Sequence, residues 1–204
     1  MLTTLRRQTA VGLRLLLVLT VLCGITYPLA IWGVSRIPGL STGAEGSVLP
    51  GGAGSAVIGI DPVAADPAAD PYFHTRPAAN TAEDDAVLGP ADTSTSGGSN
   101  KGGFDDELVA AVQQRRDLIA AREGVPPAEV PADAVTASAS GLDPDISPAY
   151  ARLQVARVAR VTGLPEAEIG RFVAEHTAGR TLGILGEPRV NVGELNLAVR
   201  TAGG

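Results

Sequence analysis

Residues 15–35 form a run of 21 positions without a charged side chain, bounded by Arg14 and Arg36. At 1.5 Å of helical rise per residue this run reaches roughly 30 Å, one bilayer crossing. Later hydrophobic residues arrive in short pieces broken by Gly, Pro and charge, so the pattern predicts a single span. Arg6, Arg7 and Arg14 precede it and only Arg36 follows closely. The positive-inside bias therefore predicts residues 1–14 as a cytoplasmic tail and sends the remainder across. Tyr27 and Trp32 suit the outer interface, and Pro28 is placed to kink the helix there. A cleaved signal peptide is the competing reading. Its apolar core is shorter, about 7–15 residues, and Ala30-Ile31-Trp32 makes a poor cleavage site. Cys23 follows a bulky Leu22 where a lipidation signal wants a small residue, so it is read as lipid-facing or packed.

Beyond the span, residues 36–54 read as a linker, rich in Gly, Pro and Ser from position 38, and residues 55–204 as one domain starting near Gly54. The apolar run Ala56-Val57-Ile58-Gly59-Ile60 predicts a short buried strand. Residues 61–71 and 93–103 read as long loops, and loops of that length usually have a task. Leu108, Ala111, Val112, Arg115 and Ile119 recur at helical spacing behind the acidic turn Asp105-Asp106-Glu107, with Gly124 as the stop. Ser147 is an N-cap before Pro148 at the first helical position, and Gly163 ends that helix. A third helix starts at Pro165, carries Ile169, Phe172, Val173 and His176 on one face, and is expected to close at Gly179. Residues 182–185 read as a strand. Asn191 and Glu194 stand at capping-box spacing before a last helix containing Leu195, Ala198 and Val199. The predicted fold class is α+β: one N-terminal transmembrane helix followed by a helix-dominated extracytoplasmic domain with a small sheet.

Charge sharpens the partner classes. Residues 1–36 hold four arginines and no acid, so the other 168 residues hold 12 basic against 22 acidic side chains, a formal charge of −10. That balance opposes binding to nucleic acid or anionic lipid headgroups. With aromatics at 3% of the chain, Val, Leu, Ile and Ala must build the core. The only cysteine lies in the span, which excludes a disulfide-stapled module or a Cys-ligated zinc site outside it.

No Gly-Lys dipeptide occurs, so the chain lacks a phosphate-cradling P-loop. His74 and His176 are far apart, without metal-ligand spacing, and a structural role is the reading for both. Asp143 and Asp145 invite an acid–base reading, but their Pro neighbours and the helix start explain them as turn and cap residues. Two polar clusters remain. Gly97-Gly98-Ser99-Asn100 reads as a flexible loop or an anion-cradling turn. The run from Thr136 to Pro148, Thr-Ala-Ser-Ala-Ser-Gly-Leu-Asp-Pro-Asp-Ile-Ser-Pro, reads as an ordered helix-entry loop rich in small hydroxyls.

That run closely resembles the signature of the C subunit of the Kdp-type high-affinity potassium-transporting P-type ATPase, the KdpC family. Tyr72-Phe73-His74-Thr75-Arg76-Pro77-Ala78-Ala79, Ser96-Gly97-Gly98-Ser99-Asn100 and Glu187-Pro188-Arg189-Val190-Asn191-Val192 with Leu195-Asn196-Leu197-Ala198 resemble its other motifs, in the same order. Lys101-Gly102-Gly103 departs from the Leu-Gly-Pro continuation expected after Asn100, and Gly193 stands where a larger apolar residue is expected. The resemblance implies a non-catalytic subunit that works beside a channel-like potassium-translocating subunit and a P-type ATP-hydrolysing subunit. Its implied roles are structural assembly or a catalytic chaperone raising the ATP affinity of the hydrolysing subunit. An external module gathering or gating potassium is the alternative. No tightly bound cofactor is implied, and ATP association follows from the resemblance alone. Candidate partner- or nucleotide-contacting residues are Arg76, Ser99, Asn100, Ser138, Ser140, Asp143 and Asn191.

Overall fold

The computed structural model describes residues 1–82 and 87–203 and divides the chain into two compact units, Met1–Ser47 and Val48–Gly204. In the first unit α1 (Leu2–Val21) passes through a π turn (Leu22–Thr26) into α2 (Tyr27–Ser35). Together Leu2–Ser35 make one helix long and apolar enough to cross a membrane. The helix thus begins well before the uncharged run and carries Arg6, Arg7 and Arg14 on its first turns. The π turn explains why Pro28 sits within a continuous helix. Proline has no N–H to give and crowds the preceding turn, and the wider turn just before it takes up that misfit, with Tyr27 N–H bonding back to the Leu22 carbonyl. Arg36 stacks over the Trp32 ring at 5.2 Å and pairs with Glu45. A single helical turn, α3 (Ser41–Ala44), follows.

The second unit is α+β, as the pattern predicts. Its helices are α4 (Asp106–Glu123), the short α5 (Ala132–Val135), α6 (Pro148–Thr162), α7 (Glu166–Glu175) and α8 (Val192–Gly203). A three-stranded antiparallel sheet runs in the order β1 (Asp145–Ile146), β3 (Arg189–Asn191), β2 (Thr177–Ala178). Register pairs Asp145 with Asn191 and Thr177 with Val190.

Local chemistry sets the helix ends. Asp105 caps α4 by accepting the Leu108 N–H, and Gly124 closes it in the left-handed conformation. Ser147 caps α6 by accepting the Tyr150 N–H at 3.0 Å, and its own N–H and hydroxyl both donate to Asp133 of α5 at 2.8 Å. Asn191 caps α8 by accepting the Glu194 N–H.

The core lies between α4, α6, α7, α8 and the sheet. Phe73, Ile119, Ile146, Ile169, Val190 and Leu195 are fully or nearly fully buried there. Each contributes about 1.5–3 kcal/mol of transfer free energy. Gly193, where a larger residue was expected, is complemented from elsewhere: a Cβ at that position would meet Leu49 Cδ1 at 3.1 Å. Leu49 thus fills the space.

Three expectations fail. The run at residues 56–60 is no buried strand. Val57 is 60% exposed, and only isolated bridges link Ser55 to Val48 and to Ile58. The segment is instead pinned against the loop before β1, where Gly59 donates to the Leu142 carbonyl. Residues 182–185 form a turn rather than a strand, closed by the Thr181 N–H to Leu185 carbonyl bond, with Leu182, Gly183 and Gly186 all at positive φ. The third helix stops at Glu175 and not Gly179, because His176 leaves helical geometry at φ −95° and ψ 8° and the chain then pairs into β2.

Candidate functional site

The segment at residues 70–79 is extended, largely buried and belongs to no strand. Buried backbone groups need partners, and here side chains supply them. Asn196 of α8 accepts the Phe73 N–H at 2.7 Å and donates to the Phe73 carbonyl at 2.8 Å. Gln154 of α6 does the same for His74, at 2.8 and 3.3 Å. Arg157 of α6 donates to the carbonyls of Asp70 and Tyr72. This segment is hereafter the strap.

The strap delivers Arg76 to the loop ahead of β1. The guanidinium pairs with Asp143 at 3.0 Å and reaches the carbonyls of Thr136 and Ala137. Asp143, read from the sequence as a solvent-facing turn residue, is half-buried by this pairing, and its other oxygen accepts the Asp145 N–H. Ser138 lies buried, its N–H donating to the Pro77 carbonyl, while its hydroxyl and the Arg76 Nε have no partner among the described residues. Ser140 is exposed, its hydroxyl accepting the Leu142 N–H.

The second hydroxyl cluster docks on the first. Gly97 N–H and the Ser96 hydroxyl both donate to the Ser140 carbonyl, at 2.9 and 3.0 Å. The fit leaves no room for side chains. A Cβ on Gly98 would lie 3.2 Å from the Ala139 carbonyl oxygen, and one on Gly59 only 2.2 Å from that of Asp143. Ser99 and Asn100 are exposed at the edge, Asn100 at φ 54° with its amide on the Gly98 carbonyl. Lys101, the departure from the expected continuation, pairs with Asp105 and Glu107.

The structure therefore pairs Arg76 with Asp143 and carries Ser138 and Ser140 on the same loop as Asp143, with Ser99 and Asn100 on the adjoining loop. Asn191 stands apart, donating to the Ala56 carbonyl and facing Asp145 across the sheet. There it borders a cleft of about 380 Å³ lined by Asp145, His176, Arg189 and Glu194. Burial pushes the Asp145 carboxyl up, although Arg189 at 2.9 Å opposes this. His176 is half-buried, its Nδ1 beside the Phe172 carbonyl.

The cation of the hydroxyl-rich loops, Arg76, is committed to Asp143 and two carbonyls.

Beneath the strap lies a charge network that the sequence reading missed. His74 Nδ1 is 3.0 Å from Asp61 and Nε2 is 2.5 Å from Asp70. Arg157 pairs with Glu123 at 3.0 Å, Glu123 with Arg122 at 2.7 Å, and Arg122 donates to the Tyr150 hydroxyl. Burial raises the Tyr150 phenol to about 12 against the opposing charge of Arg122. The four-residue spacing of Asp70 and His74 was the one local signal of this cluster; Asp61 comes from the loop before the strap and the other members from α4 and α6.

The KdpC family model, "K+-transporting ATPase, c chain", matches residues 9–201. A potassium-transporting ATPase KdpC subunit from Kineococcus radiotolerans is 46% identical over 202 residues, covering 98% of this chain and 97% of the relative. Those of Streptomyces coelicolor and Bradyrhizobium diazoefficiens are 44% and 42% identical, each covering 94% or more of both chains. With its four motifs gathered on the strap, the two docked loops and the start of α8, and with similarity running through nearly its whole length, the chain belongs to the KdpC family.

Proposed function

We propose that the chain is the single-span, non-catalytic subunit of a potassium-importing P-type ATPase, and that its main task is to hold the complex together from outside the membrane. The observation that carries this reading is the pair of docked loops, residues 96–100 and 136–143. They are stiffened by Arg76, Asp143 and backbone bonds, yet present exposed Ser99, Asn100 and Ser140. A surface ordered before binding loses little entropy on association. The partners on this reading are the channel-like potassium-translocating subunit and the ATP-hydrolysing subunit, with lipid around Leu2–Ser35.

Topology follows from charge. Three arginines ahead of the apolar run keep the N-terminus cytoplasmic and the second unit external. ATP is then on the far side of the membrane, so a chaperone effect on ATP affinity operates as coupling between distant sites and not as contact with nucleotide. The formal charge of −10 on residues 37–204 favours a second reading, in which the domain concentrates cations near the pump entrance.

A chain ending at Leu40 tests the assembly role. A lone helix offers one face to neighbours already matched by lipid, whereas the external domain can add on the order of 1,000 Å² of interface. The expected result is loss of co-purification with the other subunits in detergent, and with it potassium-stimulated ATP hydrolysis. An intact complex that merely requires more ATP would instead establish the chaperone role and remove the structural one.

A further inference from the structure

We propose that His74 is a proton-operated latch: as an imidazolium it holds Asp61 and Asp70 with one N–H each, fastening the strap, and on losing its proton it releases one of them. The geometry demands two donors. Asp61 Oδ1 already accepts the Thr75 N–H at 2.9 Å, and Asp70 Oδ1 accepts the Tyr72 N–H at 3.0 Å. Both carboxylates therefore act as acceptors, and both ring nitrogens of His74 face them. A neutral imidazole carries one N–H, so deprotonation turns a ring lone pair toward a carboxylate oxygen in a buried site.

The surroundings balance the charge on each side. From α6, Arg157 stands 3.5 Å from Asp70 Oδ2, and Tyr150 contributes a phenol that stays neutral. From α4, Glu123 pairs with both Arg157 and Arg122, so these two cations share a carboxylate of their own. Asp61 pairs with the imidazolium, and Asp70 is shared between it and Arg157. Burial and the Arg122 charge work against protonation of His74, but the charge and hydrogen bond of Asp61 and the bond to Asp70 outweigh them, holding it above the ordinary 6.5. A group raised in the folded state stabilises fully below its unfolded value and loses that contribution as pH rises through its folded value. The latch is closed below the ordinary imidazole value and opens as pH rises through the raised one. Arg157, Asn196 and Gln154 still hold the backbone groups they bind on the strap, so opening is confined to the Tyr72 and Thr75 N–H groups that Asp70 and Asp61 accept.

The test uses the full chain in detergent micelles, with His176→Gln so that His74 is the one histidine observed. Its imidazole nitrogens are followed by NMR from about pH 5 to about pH 10, alongside amide exchange protection of Tyr72 and Thr75 and, as reference, of α6. The latch requires both nitrogens protonated at low pH and a midpoint above 6.5. Over that same step, protection at Tyr72 or Thr75 should fall about tenfold while α6 stays unchanged. Asp61→Asn should move the midpoint down. A midpoint below 6.5, or protection flat through the titration, overturns the proposal, and the chain with His74 intact gives that answer without relying on a latch variant to fold.

Discussion

At the scale of single residues, Asp70 gives the clearest expectation. Burial would raise its carboxyl, but the hydrogen bond and charge of His74, the Tyr72 N–H and Arg157 together lower it from 3.8 to about 2. A depressed group contributes fully above its unfolded value and loses that contribution as pH falls through its folded one. The shift corresponds to about 2 kcal/mol. Asp70→Asn should therefore destabilise the full chain by about that amount in urea unfolding at neutral pH, with the difference shrinking toward the acid limit. A difference that persists undiminished there would show that packing, and not charge, is what Asp70 supplies. Arg76 and Asp143 were both legible as candidates, Arg76 through the segment that resembles the family motif and Asp143 also through its Asp-Pro turn. Their pairing was not legible, since 67 positions separate them and no local pattern encodes which charge meets which. Ser138 shows the opposite failure: a small hydroxyl among hydroxyls reads as surface, and it is buried.

Among the elements, the helices were readable and the strands were not. Caps are local chemistry, so Asp105, Ser147, Gly124, Gly163 and Asn191 could be placed from the sequence and are found at the corresponding ends. The strands have two or three residues each, too few for an alternating pattern, and their pairing depends on what the helices bring together. The turn at residues 182–185 shows how an aliphatic run misleads: its hydrophobicity suggests a strand, while the glycines at 183 and 186 take positive φ and fold it back. Leu182 itself adopts φ 54° and is 87% exposed. A branched side chain gains nothing from packing there and opposes the left-handed backbone. Leu182→Gly should accordingly raise stability, by about 0.5–1 kcal/mol after allowing for glycine's greater unfolded-state freedom. A fall in midpoint by thermal unfolding would mean that the exposed leucine makes contacts that the φ value does not disclose.

For the whole molecule, orientation rests on a few charges. A reporter joined after Gly204 should be active only outside the cytoplasm, and changing Arg6, Arg7 and Arg14 to Glu should reverse that result. Cytoplasmic activity of the unaltered fusion would place the domain on the ATP side and reopen direct nucleotide contact. The strap has a different consequence, one of sequence in time. Its backbone partners are side chains 80 and 123 positions away, on helices α6 and α8. An ordinary hairpin can zip from its turn, but these rungs have no meaning until both helices are formed and set side by side, and closing such long loops is entropically late. The strap is therefore the last part of the domain to fold. In pulse-labelled refolding, the amides of Phe73 and His74 should become protected after those in the middle of α6. The residues that carry Arg76 to its loop would then be set down only on a finished scaffold, so that a half-made domain presents no partner surface at all.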